Sequence, residues 1–176
     1  ELTVGMYTEY ALFDATHGLK TDDAFWLDPD VRRLMLMTAN IIGWANDLFS
    51  YPKESEARDP HNLVLLLIYA HDLSEHEATL RTTKMHNREL DRFLELEASV
   101  RERDMDPSII NPFCDLLRSW IRGNMDWSFS SFRYGLQQRS QEKTLHASGS
   151  ARPLEGGGRL RIEGPSIPVL GMSLAE

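Results

Sequence analysis

The chain has 176 residues, 41% of them hydrophobic and 26% charged, with a formal net charge of −8. That length supports one domain with a buried core, and so acidic a chain is poorly suited to nucleic acid or an anionic membrane surface. The single cysteine, Cys114, excludes an internal disulfide framework and a cysteine-rich metal site.

In chain order, helices are expected at 2–16, 29–52, 60–71, 74–102 and 112–134, with Gly18 to Asp28 as a connecting loop. Three Asx-Pro pairs read as helix starts, Asp28-Pro29, Asp59-Pro60 and Asn111-Pro112, each offering a side-chain acceptor at the N-cap and a proline at the first helical position. Ser74 and Glu77 have the spacing of a capping box. The 29–52 segment carries Leu34, Met35, Leu36, Met37, Ile41, Ile42 and Trp44, which makes it apolar nearly all round and therefore central. The 74–102 segment has one apolar stripe, Leu80, Leu90, Phe93 and Leu94, and is expected to lie outside. Its acidic residues, Glu89 and Glu97 among them, read as a solvated face. Strand signals are poor: there is no sustained alternation and no Asn-Gly or Asp-Gly hairpin.

Composition changes near Gln137. All the aromatic residues precede it, and six of the eleven glycines follow it, including Gly156-Gly157-Gly158. Residues 1–136 are thus expected to form an all-α domain and residues 137–176 a disordered tail. The longest uncharged apolar stretch, Leu34 to Asn46, is too short to span a bilayer. No secretory leader is evident, and a cytoplasmic location is the default expectation.

The segment richest in chemistry is Asn46-Asp47-Leu48-Phe49-Ser50-Tyr51-Pro52-Lys53-Glu54. On a helix the i, i+4, i+8 spacing stacks the Asn46 amide oxygen, the Ser50 hydroxyl and the Glu54 carboxylate on one face. These are hard oxygen donors with one negative charge between them. They suit Mg²⁺, which commonly takes few protein oxygens and completes its shell with water and substrate phosphate. Lys53 offers a point charge for such a phosphate. The same residues also suit a polar helix end facing water, and Pro52 is expected to kink or stop the helix there. Four fixed residues in the pattern N-D-x-x-S-x-x-x-E arise by chance at roughly one position in 10⁵ by one-in-twenty counting.

This segment resembles the second metal motif of microbial class I terpene synthases. A second stretch agrees: Trp120-Ile121-Arg122-Gly123-Asn124-Met125-Asp126-Trp127 followed by Arg133-Tyr134 is similar to the last catalytic helix of that family. The resemblance covers about residues 1–136. It implies the C-terminal part of the class I terpenoid synthase helical bundle, and Mg²⁺-dependent ionisation and cyclisation of an isoprenyl diphosphate. By the general look of the family that substrate is farnesyl diphosphate. It further implies Asn46, Ser50 and Glu54 as Mg²⁺ ligands, with Asp47 supporting them. Lys53, Arg133 and Tyr134 would bind the diphosphate, and Gly5 would be a helix-break glycine whose carbonyl lies near the carbocation. Phe13, Trp44, Phe49, Trp120 and Trp127 are candidates either for a cation-stabilising pocket wall or for plain core packing.

The aspartate-rich first metal motif of such enzymes has no counterpart here. Asp22-Asp23 is the only Asp-Asp pair, and it lies in an expected loop too near Asn46. The chain is therefore expected to be the C-terminal half of a terpene synthase and to lack cyclase activity alone. It should expose an apolar face and be poorly soluble or oligomeric, a homodimer being one candidate assembly. Two further readings stay open: a non-catalytic helical remnant or partner-binding module, and a prenyltransferase.

Overall fold

A computed structural model of the chain describes residues 10, 12, 16–57 and 60–131. Tyr10, Leu12, Thr16 and His17 are helical. Five helices follow: α1 (Asp23–Leu27), α2 (Pro29–Ala57), α3 (Leu63–His71), α4 (Glu75–Arg101) and α5 (Pro107–Ser130). No strand occurs among the described residues, so the fold is all-α as expected. The expected tail, 137–176, lies outside them.

Two helix starts follow the local signals. Asp28 Oδ1 accepts from the backbone N–H of Asp30 and Val31 and so starts α2 at Pro29. Ser74 and Glu77 close a capping box at the start of α4.

Two other starts depart from expectation. Helix α5 begins at Pro107, capped by Asp106, and carries Pro112 inside it. Starting at 112 would leave Ile110, 1% exposed in the core, outside the helix. Helix α3 begins at Leu63, not 60, because Asn62 caps it: its Oδ1 accepts from Val64 and Leu65. The expected 18–28 loop contains α1, whose Asp22 cap places Phe25 edge-on against Phe113 at 5.1 Å.

Helix α2 is central as expected and runs through Pro52 to Ala57. Its main neighbour is α4. That corrects the outside placement of α4, which buries Ala78, Thr82, Thr83, His86, Glu89, Leu90, Phe93, Glu97 and Val100. The apolar core falls into two clusters along α2. In the first, Val31, Leu34 and Ile41 meet Leu90, Phe93, Phe113 and Leu117. In the second, Ala45, Leu48 and Phe49 meet Val64 and Leu67 of α3, Ala78 and Met125.

The acidic stretch is not uniformly solvated either. Glu89 is buried and accepts from Asn40 at 3.0 Å. Glu97 is buried and paired with Arg101 and Arg118. These bonds join the end of α4 to α5, and Arg101 also reaches Asn111 and Asp115, which makes the two helices antiparallel. Large apolar side chains remain exposed on α3, at Leu66 and Tyr69, and at the end of α5, at Trp127 and Phe129. No helix among the described residues is long and apolar enough to cross a membrane.

Candidate metal centre

Asn46, Ser50 and Glu54 all lie on α2, each one turn after the last. Ser50 is 1% exposed, Asn46 and Glu54 are half-buried, and Lys53 is exposed. The chain then turns back and places Asn62 against this stretch. The Asn62 side-chain amide donates to the Asp47 carbonyl at 2.8 Å and to Glu54 Oε2 at 2.9 Å. It reaches Ser50 Oγ more loosely, at 3.4 Å. One buried side chain thus connects the serine and the glutamate of the triad.

Asp47 makes a different contact. Its Oδ2 accepts from the Leu63 backbone N–H, the first of α3, at 3.0 Å. Burial pushes its carboxyl up to about 6; the Leu63 bond opposes that rise and the Glu54 charge adds to it. Asp47 and Asn62 together fix the start of α3 to the motif half of α2.

The end of α5 comes to the same place. Phe129 meets Phe49 edge-on at 4.9 Å, and Met125 shares a core cluster with Ala45 and Leu48. Gly5, Arg133, Tyr134 and Phe13 lie outside the described residues. Of the other aromatics, Phe49 is core, Trp120 packs edge-on against Tyr10 at 5.5 Å, and Trp127 is exposed. Trp44 lines an open groove of about 310 Å³ between α2 and residues 60–66, together with Asp47 and Asn62. The triad residues do not line that groove.

Sequence reasoning gave Asn62 no role. A usable signal was present: an asparagine directly before the apolar run Leu63 to Ile68 is an N-cap signature. Its second role, through the amide nitrogen, depends on tertiary contact and leaves no local mark.

Residues 1–92 match the family model described as terpene synthase family 2, C-terminal metal binding. The chain belongs to the terpene synthase family. Among curated relatives of this terpene synthase chain, the germacrene A synthase of Nostoc punctiforme is 34% identical over 136 residues, spanning 75% of this chain and 41% of that protein. The (+)-T-muurolol synthase of Roseiflexus castenholzii, named as cyclising (2E,6E)-farnesyl diphosphate, is 36% identical over 65% of this chain and 36% of its own. The chain therefore spans about two fifths of the length of these relatives.

Among solved structures, 2-methylisoborneol synthase from Streptomyces coelicolor superposes with a TM-score of 0.63 at 27% identity, covering 70% of this chain and 39% of that one. The same enzyme has been solved with Mg²⁺ and geranyl-S-thiolodiphosphate.

The donor set of this terpene synthase chain fits a hard divalent ion as part of a shell. Among the described residues no three His, Cys, Asp or Glu side chains gather into a cage. What α2 offers is one carboxylate, one hydroxyl and one amide oxygen. That set leaves coordination positions for water and phosphate oxygens, the mode in which Mg²⁺ is commonly held.

Proposed function

We propose that the parent enzyme ionises and cyclises an isoprenyl diphosphate, with farnesyl diphosphate as the substrate, and releases inorganic diphosphate. The observation that carries this reading is the α2 triad, with its serine and glutamate held by one buried amide beside the end of α5. Asn46, Ser50 and Glu54 hold Mg²⁺, which when bound supplies positive charge to the diphosphate leaving group. Lys53, exposed between two ligand turns, takes a diphosphate oxygen as a point charge. Arg133 and Tyr134 follow α5 closely in sequence and supply a planar fork and a hydroxyl to the same group. The resemblance assigns Gly5 the helix break whose carbonyl would stabilise the cation left behind. Residues 1–136 form the bundle portion and 137–176 a tail without a share in the site.

The 176 residues alone do not turn over substrate, since they contain no aspartate-rich motif to complete the metal shell. Calorimetric titration of the full chain with Mg²⁺ and inorganic diphosphate tests the ligand set. Binding is expected in the wild type and is lost in Glu54→Gln and Ser50→Ala. Equal binding by these variants overturns the assignment. Terpene formed from farnesyl diphosphate and Mg²⁺ by this chain overturns the inactivity.

A further inference from the structure

Pro52 stands between Ser50 and Glu54 inside α2. A proline has no N–H, so the Leu48 carbonyl loses its helical partner, and the ring crowds that carbonyl. Such a break is strongly unfavourable in a helix interior and usually kinks or ends the helix. Here α2 continues to Ala57, so Glu54 stays in helical register with Ser50.

Asn62 contributes side-chain contacts on both sides of the break. On the near side its amide holds the Asp47 carbonyl and touches Ser50 Oγ; on the far side it holds Glu54 Oε2. Its own oxygen is fixed by the Val64 and Leu65 amides, which settles the orientation of the group. The side chain is 1% exposed, so water does not compete well for these bonds. Binding Oε2 leaves Glu54 Oε1 with its lone pairs, and the long contact to Ser50 leaves that hydroxyl able to accept a cation.

We propose that Asn62 is a positioning residue for the metal triad: it staples α2 across Pro52 and presets the Glu54 carboxylate against Ser50. The inference rests on the ligand set proposed above. Outer-shell bonds of this kind orient ligating carboxylates, and their loss typically weakens metal binding 10–100-fold.

The experiment uses the full chain and the variant Asn62→Ser. Serine is itself a good N-cap, so it keeps the start of α3 and removes only the reaching amide. Two readouts are taken: amide hydrogen exchange, and affinity for Mg²⁺ with inorganic diphosphate. Exchange at residues 53–57 is expected to quicken about tenfold while Val64 and Leu65 stay protected, and Mg²⁺ affinity is expected to fall about 10–100-fold. Adding Pro52→Ala restores the backbone donor to Leu48. The double variant should then recover both readouts, which a residue that merely caps α3 would not do. It also serves if Asn62→Ser fails to fold.

Wild-type exchange and affinity in Asn62→Ser would overturn the proposal, as would a double variant that recovers neither. If Glu54→Gln and Ser50→Ala also bind Mg²⁺ like wild type, the ligand set itself falls and the inference falls with it. If those two lose binding and Asn62→Ser does not, only the inference falls.

Discussion

Where α4 meets α5, the buried Glu97 is fully engaged: it accepts twice from Arg101, and both its oxygens lie within hydrogen-bond reach of Arg118 Nε. At the motif end the pattern reverses. Thr79, His86, Asn124, Ser128 and Ser131 each bury a polar atom with no hydrogen-bond partner among the described residues. All five belong to the first half of α4 or the end of α5 and its cap. Each such atom forgoes the solvation it has in the unfolded chain. Paired buried charge is therefore concentrated on the second half of α4 and its partners on α5, while the polar atoms without a partner among the described residues gather on the first half of α4 and the end of α5.

The strongest way to break that contrast is Glu97→Ala. Removing one partner of a buried pair typically costs 3–5 kcal/mol, but Arg101 and Arg118 are partly exposed and can turn to water. A loss of about 2–3 kcal/mol in urea unfolding is expected. An unchanged midpoint would show that the α4–α5 joint does not hold the domain.

Acid acts next, and it acts on the motif end. Burial holds the His86 imidazole below its ordinary value near 6.5, partly offset by its bond to Asn87. As pH falls below 6.5, the unfolded chain takes up this proton before the folded one, so stability is lost progressively. Asp47 works in the opposite sense. With its carboxyl raised to about 6 from 3.8, the folded chain binds that proton more readily, and falling pH through this window adds stability. Melting temperatures between pH 7 and 5 should therefore fall less steeply in His86→Gln, and fall more steeply in Asp47→Asn, than in wild type. A slope insensitive to His86→Gln would refute the first half of this.

Ser128→Ala should have the smallest effect. Its hydroxyl is buried with no partner among the described residues, so its removal is expected to leave stability within about 0.5 kcal/mol of wild type or raise it slightly. A loss above 1 kcal/mol, on the scale of a real hydrogen bond, would place an ordered partner at that hydroxyl.

Much of the fold was legible because its signals are local. The Asp28-Pro29 start and the Ser74–Glu77 box act over at most three residues, and both formed as read. Asn111-Pro112 has the same grammar and failed. Asp106-Pro107 offers it too, and burial of Ile110 decided between them. Pro52 should stop a helix and does not: α2 runs on to Ala57, and Asn62, ten residues on, bonds to both sides of the proline. The acidic face misled for a related reason: the Glu97 partner Arg118 is 21 residues away on another helix. Of the site, the candidate ligand residues stood in the sequence as a pattern, while the Asn62 amide that bonds two of them could be found only by folding the chain.

Cys114 gives the clamped end a further property. It is fully buried in the core cluster that joins α4 and α5, and burial pushes its thiol up to about 11. At pH 8 almost none of it is thiolate, the reactive form. A sulfhydryl reagent can therefore modify this sole cysteine only while the joint is open. The labelling rate becomes a clock for that opening, read at a residue the chain already carries.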